Sequence, residues 1–263
     1  NYMNKIRYIT IVILIILGKY TFCQNLSWVN HFGGISYDLI YDVDHDSLGF
    51  RYVIGAFTNT INVECESGTS SLNSYGSNDI FVGKLNNIGQ FVWINQIGSK
   101  QHDLPTKINV DINGNIIVIG EFIDTAIFRD NIDTTYLINH GIYPNQDIFF
   151  AKYDNSGKLL WVNSIGGKNQ DRPTDITSDI LGNLYVTGWF RYTAYFDSMN
   201  NDSLKAKGFY DTFLAKYKSN GDFVWVKQIK ASNSGSIEAI SFFNNELYLT
   251  GYFWDTQIGR AHV

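Results

Sequence analysis

The feature that most constrains this chain is a unit written four times. Trp28, Trp93, Trp161 and Trp225 stand 65, 68 and 64 residues apart, and each opens the same short phrase. The phrase reads Trp28-Val29-Asn30-His31-Phe32-Gly33, Trp93-Ile94-Asn95-Gln96-Ile97-Gly98, Trp161-Val162-Asn163-Ser164-Ile165-Gly166 and Trp225-Val226-Lys227-Gln228-Ile229. A second mark is Gly-x-Phe, at Gly55 and Phe57, Gly120 and Phe122, Gly188 and Phe190, and Gly251 and Phe253. A third is Asp-x-Phe-x-x-Lys, at Asp79 to Lys84, Asp147 to Lys152 and Asp211 to Lys216. Gly89, Gly157 and Gly221 follow those lysines, and the tryptophan follows the glycine. Marks in constant order at a fixed period signal a repeat architecture.

Each unit reads as strands. Residues 115–122 (NIIVIGEF) and 184–190 (LYVTGWF) are short, β-branched and aromatic, and each opens after an Asp-x-x-Gly-Asn turn. Asp and Asn favour the turn start, and glycine accepts the positive φ. Residues 147–153 (DIFFAKY) are apolar on both faces, so that strand is expected to be covered on both. The small residues Gly83, Ala151 and Ala215 at its centre suggest the close approach of a neighbouring sheet. With 158–165 and a strand near 173–179, four strands fill a unit, and no segment carries a helical period. Stacked four-stranded antiparallel units describe the blades of an all-β propeller. A parallel β-helix is the rival, but its coil is much shorter than this period. Propeller repeats usually run to roughly 40–50 residues. The excess here lies in residues 58–78, 123–146 and 191–210, polar inserts with room for a short hairpin.

These residues carry a resemblance. The order Trp…Ile-Gly-Gly…Asp, Asp-x-x-Gly-Asn-x-Tyr-Val-Thr-Gly-x-Phe, then Asp-x-Phe-x-x-Lys-Tyr-x-x-x-Gly-x-x-x-Trp resembles the SBBP repeat, a bacterial β-propeller family. It extends over residues 26–257 and is strongest at 161–190 with 211–225. In the fourth unit Lys230 replaces a glycine, and Asn244-Asn245-Glu246 replaces the turn. The resemblance implies a seven-bladed ring, of which about four blades are present. It also implies a secreted or outer-surface protein of a Gram-negative bacterium, often with type IX sorting, and no assigned enzymatic activity. Residues 153–161 also resemble the tryptophan-docking motif of quinoprotein propellers. That implies that Trp93, Trp161 and Trp225 wedge between blades; no quinone site accompanies them, and no cofactor is called for.

The ends carry their own readings. Lys5 and Arg7, then an apolar stretch from Ile9 to Leu17, read as a signal peptide over residues 1–23, cleaved before Gln24. The alternative is lipidation at Cys23, against which Phe22 argues. The stretch is shorter than the roughly 20 residues needed to span a bilayer, so no membrane span is expected in the mature chain. The propeller region is 24–257, and Ile258 to Val263 (IGRAHV) match a translated sequencing adapter. Without the leader the chain has 17 basic and 25 acidic residues and a net charge of −8, unsuited to nucleic acid. Cys65 is then its single cysteine, so no intrachain disulfide is available.

A catalyst is needed once, whereas these marks recur in every unit. The aspartates Asp79, Asp147 and Asp211 and lysines Lys84, Lys152 and Lys216 are therefore read as ties or strand-end caps, and the Gly-x-Phe aromatics as core. Function is expected in what does not repeat. Glu121 is one candidate, since its slot holds Ala56, Trp189 and Tyr252 elsewhere. Asp42, Asp44 and Asp46 alternate like calcium ligands, but Ser47 and Leu48 stand where that loop needs glycine, so a plain turn is the better reading. The five histidines show no metal-ligand spacing, and no serine sits in a nucleophile elbow. Asp-Ser/Thr-aliphatic triplets such as Asp124-Thr125-Ala126 and Asp202-Ser203-Leu204 resemble an O-glycosylation signal. The expectation is a non-enzymatic binding, adhesion or scaffold module whose inserts meet a surface protein or a glycan, and whose bare terminal blades need the remaining blades of the same chain. The alternative is the propeller portion of a polysaccharide hydrolase or lyase.

Overall fold

A computed structural model describes residues 31, 33–130, 132–141, 143–197, 202–229 and 235–253. The signal peptide, Trp28 and residues 258–263 lie outside these. All regular secondary structure among the described residues is β-strand. The first blade contains β1 (Leu39–His45), β2 (Arg51–Phe57), an insert hairpin β3 (Thr60–Cys65) and β4 (Gly68–Asn73), then β5 (Asp79–Leu85) and β6 (Phe91–Gly98). The second contains β7 (Leu104–Val110), β8 (Ile116–Phe122), hairpin β9 (Thr125–Arg129) and β10 (Thr134–Ile138), then β11 (Asp147–Tyr153) and β12 (Leu159–Ile165). The third contains β13 (Asp171–Ser178), β14 (Leu184–Phe190), hairpin β15 (Thr193–Asp197) and β16 (Asp202–Lys205), then β17 (Asp211–Tyr217) and β18 (Phe223–Ile229). A fourth begins with β19 (Gly235–Phe243) and β20 (Glu246–Phe253). The blades are antiparallel in the orders β1-β2-β5-β6, β7-β8-β11-β12 and β13-β14-β17-β18; the sheets do not close on one another among the described residues.

One register recurs. Gly55, Gly120 and Gly188 lie opposite Phe81, Phe149 and Phe213 of the third strand. A Cβ on Gly120 would fall 2.7 Å from the Phe149 ring and 2.4 Å from the Leu104 carbonyl, so only glycine fits. The first strand of each blade carries a bulge beside this position, at Ile40/Asp42, Pro105/Lys107, Pro173/Asp175 and Ile237/Ala239.

The third strand of each blade feeds two cores. Phe149, Ala151 and Tyr153 of β11 pack towards Tyr52, Val82 and Trp93 of the first blade. Ile148 and Phe150, on the opposite face, pack towards Val186, Phe213 and Tyr217 of the third. The two-faced apolar strand is thus explained by period-two alternation between two blade interfaces. The small residue at its centre has a different cause from the expected one in β5. There the Phe91 ring of the adjacent strand fills the space over Gly83, 2.4 Å from where a Cβ would stand.

The inserts are not free display loops. β9 pairs with the outer strand β6 of the preceding blade, Phe128 opposite Ile97, and its Ala126 and Phe128 are buried. In the third blade Tyr195 and Gly166 exchange backbone hydrogen bonds of 2.9 and 3.2 Å, with Ala194 and Phe196 buried. In the first, Asn62 bridges Gly33, with Ile61 and Val63 buried. The second and third units therefore exceed an ordinary blade by a hairpin that hooks the preceding blade. Alternate positions of these hairpins are buried; in β3 their neighbours Asn62 and Glu64 are polar, whereas in β9 and β15 Ile127 and Tyr195 stand between the buried residues.

The tryptophans complete each joint. Trp93 Nε1 donates to the Asn155 carbonyl at 3.0 Å, and Trp161 Nε1 to the Ser219 carbonyl at 3.2 Å, both in the last turn of the next blade. Two residues on, Asn95 and Asn163 donate to the carbonyls of Gly157 and Gly221 at 2.6 and 2.8 Å. Gly157 has φ +86°, and a Cβ there would stand 2.7 Å from the Trp93 ring. Trp225 meets Tyr185 within its own blade, with ring centroids 6.3 Å apart. Truncating Trp93 to alanine is expected to cost about 3–5 kcal/mol. Gly157→Ala is expected to cost more than about 1 kcal/mol, from left-handed strain and the displaced ring. Because ring and glycine share one contact, the Trp93→Ala/Gly157→Ala double variant should lose less than the sum. Urea unfolding of the four proteins checks this, and strict additivity would contradict the docking.

Candidate functional site

The recurring polar residues are consumed by the framework. Asp79 accepts from the Tyr75 amide at 2.9 Å and Gln96 Nε2 at 2.6 Å; Asp147 accepts from the His140 amide at 2.7 Å, and Asp211 from the Lys207 amide at 3.0 Å. Each thereby caps the chain entering the third strand. Lys152 lies 2.8 Å from Asp111 of its own blade and donates to the Ser219 carbonyl of the next at 3.3 Å. Lys84 bonds Asn155 of the next blade and lies 4.0 Å from the Phe50 ring centroid; Lys216 is 3.9 Å from Asp179. Burial pushes Asp111 up, but hydrogen bonds from Lys152 and Asn115 outweigh it and hold its carboxyl below the usual value.

The three alternating aspartates do not converge on a common point. Asp46 closes its turn by accepting from the Leu48 and Phe50 amides, both at 3.0 Å. Asp42 and Asp44 instead accept the β7 amides of Ile108 and Val110, at 3.1 and 2.7 Å. Asp175 does the same for Ile240 at 2.8 Å. These carboxylates satisfy amides that an unpaired inner strand would leave open. Glu121 is likewise engaged: it is buried, and Arg172 of the next blade grips it through Nε at 2.7 Å and through a second nitrogen. No group of three or more His, Cys, Asp or Glu among the described residues could hold a metal ion.

Residues left over from the framework gather at one end of the third blade. The slot after the Gly-x-Phe glycine holds Ala56, Glu121 and Trp189. Two residues further the series is Thr58, Ile123 and Arg191, and then Asn59, Asp124 and Tyr192. The last three share a left-handed corner, with φ of +63°, +67° and +59°. Asn and Asp tolerate that conformation, whereas a bulky Tyr is strained there. Just before the third strand the series are Ser77, Asn145 and Phe209, then Asn78, Gln146 and Tyr210. The slots that are small or mostly polar in the first two blades are therefore aromatic or cationic in the third.

The fold brings these together. Trp189 and Tyr210 rings are 5.4 Å apart, and Phe209 and Tyr210 are 6.1 Å apart. The Arg191 guanidinium stands 4.2 Å from the Phe209 ring and 5.7 Å from Trp189, a cation–π arrangement. Its Nε has no acceptor among the described residues. Tyr252 of β20 bonds the Tyr210 hydroxyl, and Arg172 lies opposite Trp189 across the strand pair. Phe209 is 68 % exposed and Tyr192 is 67 % exposed, so neither is explained by packing. Glu121 alone pointed towards this end; comparing all slots of the repeat, rather than one, would have revealed the rest.

A family model and a curated relative agree with the propeller fold. Residues 155–189 match the family model of SBBP, a beta-propeller repeat. An uncharacterized WD repeat-containing protein of Acanthamoeba polyphaga mimivirus is 29 % identical over 172 residues, covering 60 % of this chain and 12 % of that relative. The chain thus spans about an eighth of that protein's length. A solved protein of unknown function from Bacteroides caccae aligns over 72 % of this chain and 81 % of its own, at 12 % identity and a TM-score of 0.26.

Beneath the patch lies a charge conflict. Burial, reinforced by the neighbouring Asp147 carboxylate, raises Asp171 to about 8, although the Arg191 and Gly167 amides donate to it. Burial raises Asp103 to about 7, with Asp79 adding to the rise. One oxygen each of Asp79 and Asp147 is buried without a donor. Carboxyls raised on folding hold protons that the unfolded chain has lost, so stability falls as pH climbs from the ordinary carboxylate range through about 8. Urea unfolding between these limits should show that decline, and Asp171→Asn should flatten it. An unchanged slope in the variant would assign the decline to other groups.

Proposed function

We propose that this chain is a non-enzymatic propeller module that binds a partner, a surface protein or a glycan, on the outside of a Gram-negative cell. The observation that supports it is the aromatic and arginine patch on the third blade. It occupies slots that the first two blades fill without such residues, and its Phe209 and Tyr192 rings stand exposed rather than in a core. The repeated acids and bases are taken up by blade joints, which leaves them unsuited to proton transfer with a substrate. The residue that the hydrolase or lyase alternative would use first, Glu121, is neutralised by Arg172. The signal-like leader and the resemblance to secreted repeats support the location.

The test is to immobilise the full chain and present separately purified outer-surface proteins and polysaccharides. Binding is expected, and Phe209→Ala together with Tyr192→Asn should abolish it while leaving thermal unfolding within a few degrees of the parent. Absence of any binding by the folded parent, or binding that ignores these substitutions, would defeat the proposal. Export is checked separately by fractionating cells that express the tagged full-length gene.

A further inference from the structure

The binding reading leaves the ligand open, and the chemistry of the patch narrows it. Resting on that reading, we infer that the third-blade patch binds an acidic polysaccharide, a sugar chain bearing carboxylates. Two properties of the patch have to be met together. The first is a set of aromatic rings, Trp189, Tyr210 and Phe209, with 42° between Trp189 and Tyr210 and 66° between Phe209 and Tyr210, and with the Tyr210 hydroxyl at its edge bonded to Tyr252. Rings of this kind offer apolar faces to a flat partner and polar rims to its hydroxyls. A pyranose has that character, with C–H groups on its faces and hydroxyls around its edge.

The second property is charge. Arg191 is the cation set directly against the rings, over Phe209 and beside Trp189, while the nearest acids in sequence, Asp197, Asp202 and Asp211, stand at the ends of β15, β16 and β17. Arg191 is held over the Phe209 ring with its buried Nε unmatched, so a ligand would meet the outer nitrogens of the guanidinium, and its amide is anchored by Asp171 at 3.2 Å. A guanidinium fixed in this way lacks the carboxylate that it pairs best. An apolar peptide would cover the rings and leave the Arg191 guanidinium without a carboxylate partner. An acidic peptide would meet that cation and make no use of the ring faces. A carboxylated sugar satisfies both, and its repeating units would let neighbouring rings engage successive residues of one chain. Tyr192, kept exposed in a left-handed corner, extends the same surface.

The experiment is calorimetric titration of the full chain with oligogalacturonate, with a neutral galactose oligomer of equal length, and with polyglutamate as a carboxylated polymer lacking sugar rings. Oligogalacturonate should bind at least about ten-fold more tightly than either control, with affinity falling as salt rises. Arg191→Gln should remove the preference over the neutral oligomer. Phe209→Ala should remove binding at least about ten-fold, with thermal unfolding unchanged. Equal binding of polyglutamate would overturn the role of the rings, and equal binding of the neutral oligomer would overturn the role of charge. If neither sugar binds while a surface protein still engages the patch in the immobilisation assay, the acidic-sugar inference falls and the binding reading stands. If nothing engages the patch in either assay, both fall.

Discussion

A tryptophan laid on the glycine of the next blade's last turn is the contact on which this structure depends. A single four-stranded sheet of this composition cannot bury its own faces, because its third strand is apolar on both sides. Stacking solves that only if successive sheets are held at a fixed distance and angle. The indole supplies area and a directed N–H bond, the asparagine two residues on supplies a second bond, and glycine supplies the clearance. The Asp-x-Phe-x-x-Lys strand follows from the same joint. Its phenylalanine fills the socket over the Gly-x-Phe glycine, and its lysine reaches the turn on which the tryptophan rests.

The insert hairpins change how such a joint resists separation. Where only side chains meet, blades can part by sliding; a hairpin that adds a strand to its predecessor's outer edge must break backbone hydrogen bonds first. It also shields that edge from other chains over the residues it covers. This gives physical meaning to a repeat longer than a blade requires, since the added residues go into cross-linking neighbours.

Much of this was legible in the sequence. The four-stranded unit, the turns and the two-faced third strand follow from period and spacing, because those are local properties written repeatedly, and the tryptophan contact follows from the resemblance to quinoprotein propellers. What was hidden depended on partners in other units. Asp42 and Asp44 read as part of a turn, whereas they lie on β1 and accept amides that β7 supplies. Glu121 looks isolated until Arg172 arrives from the following blade, 51 positions along the chain. The hairpins look like display loops because the strand edge that β9 pairs with, β6, belongs to the preceding unit. The patch was hidden for the opposite reason: its residues break the repeat, and a repeat is read by what recurs.

Framework and patch nevertheless share one residue. Asp171 belongs to the joint between the second and third blades, where its Oδ2 accepts the Gly167 amide at 2.9 Å beside the Asp147 carboxylate. Its Oδ1 accepts the Arg191 amide, the residue whose side chain lies over Phe209. A proton on this carboxyl relieves the repulsion with Asp147, and a lost proton strengthens the bond to the Arg191 amide while straining the joint. The two ends of one carboxylate therefore pull in opposite directions as it titrates. The backbone of Arg191 is consequently tied from below to the electrostatics of a blade joint.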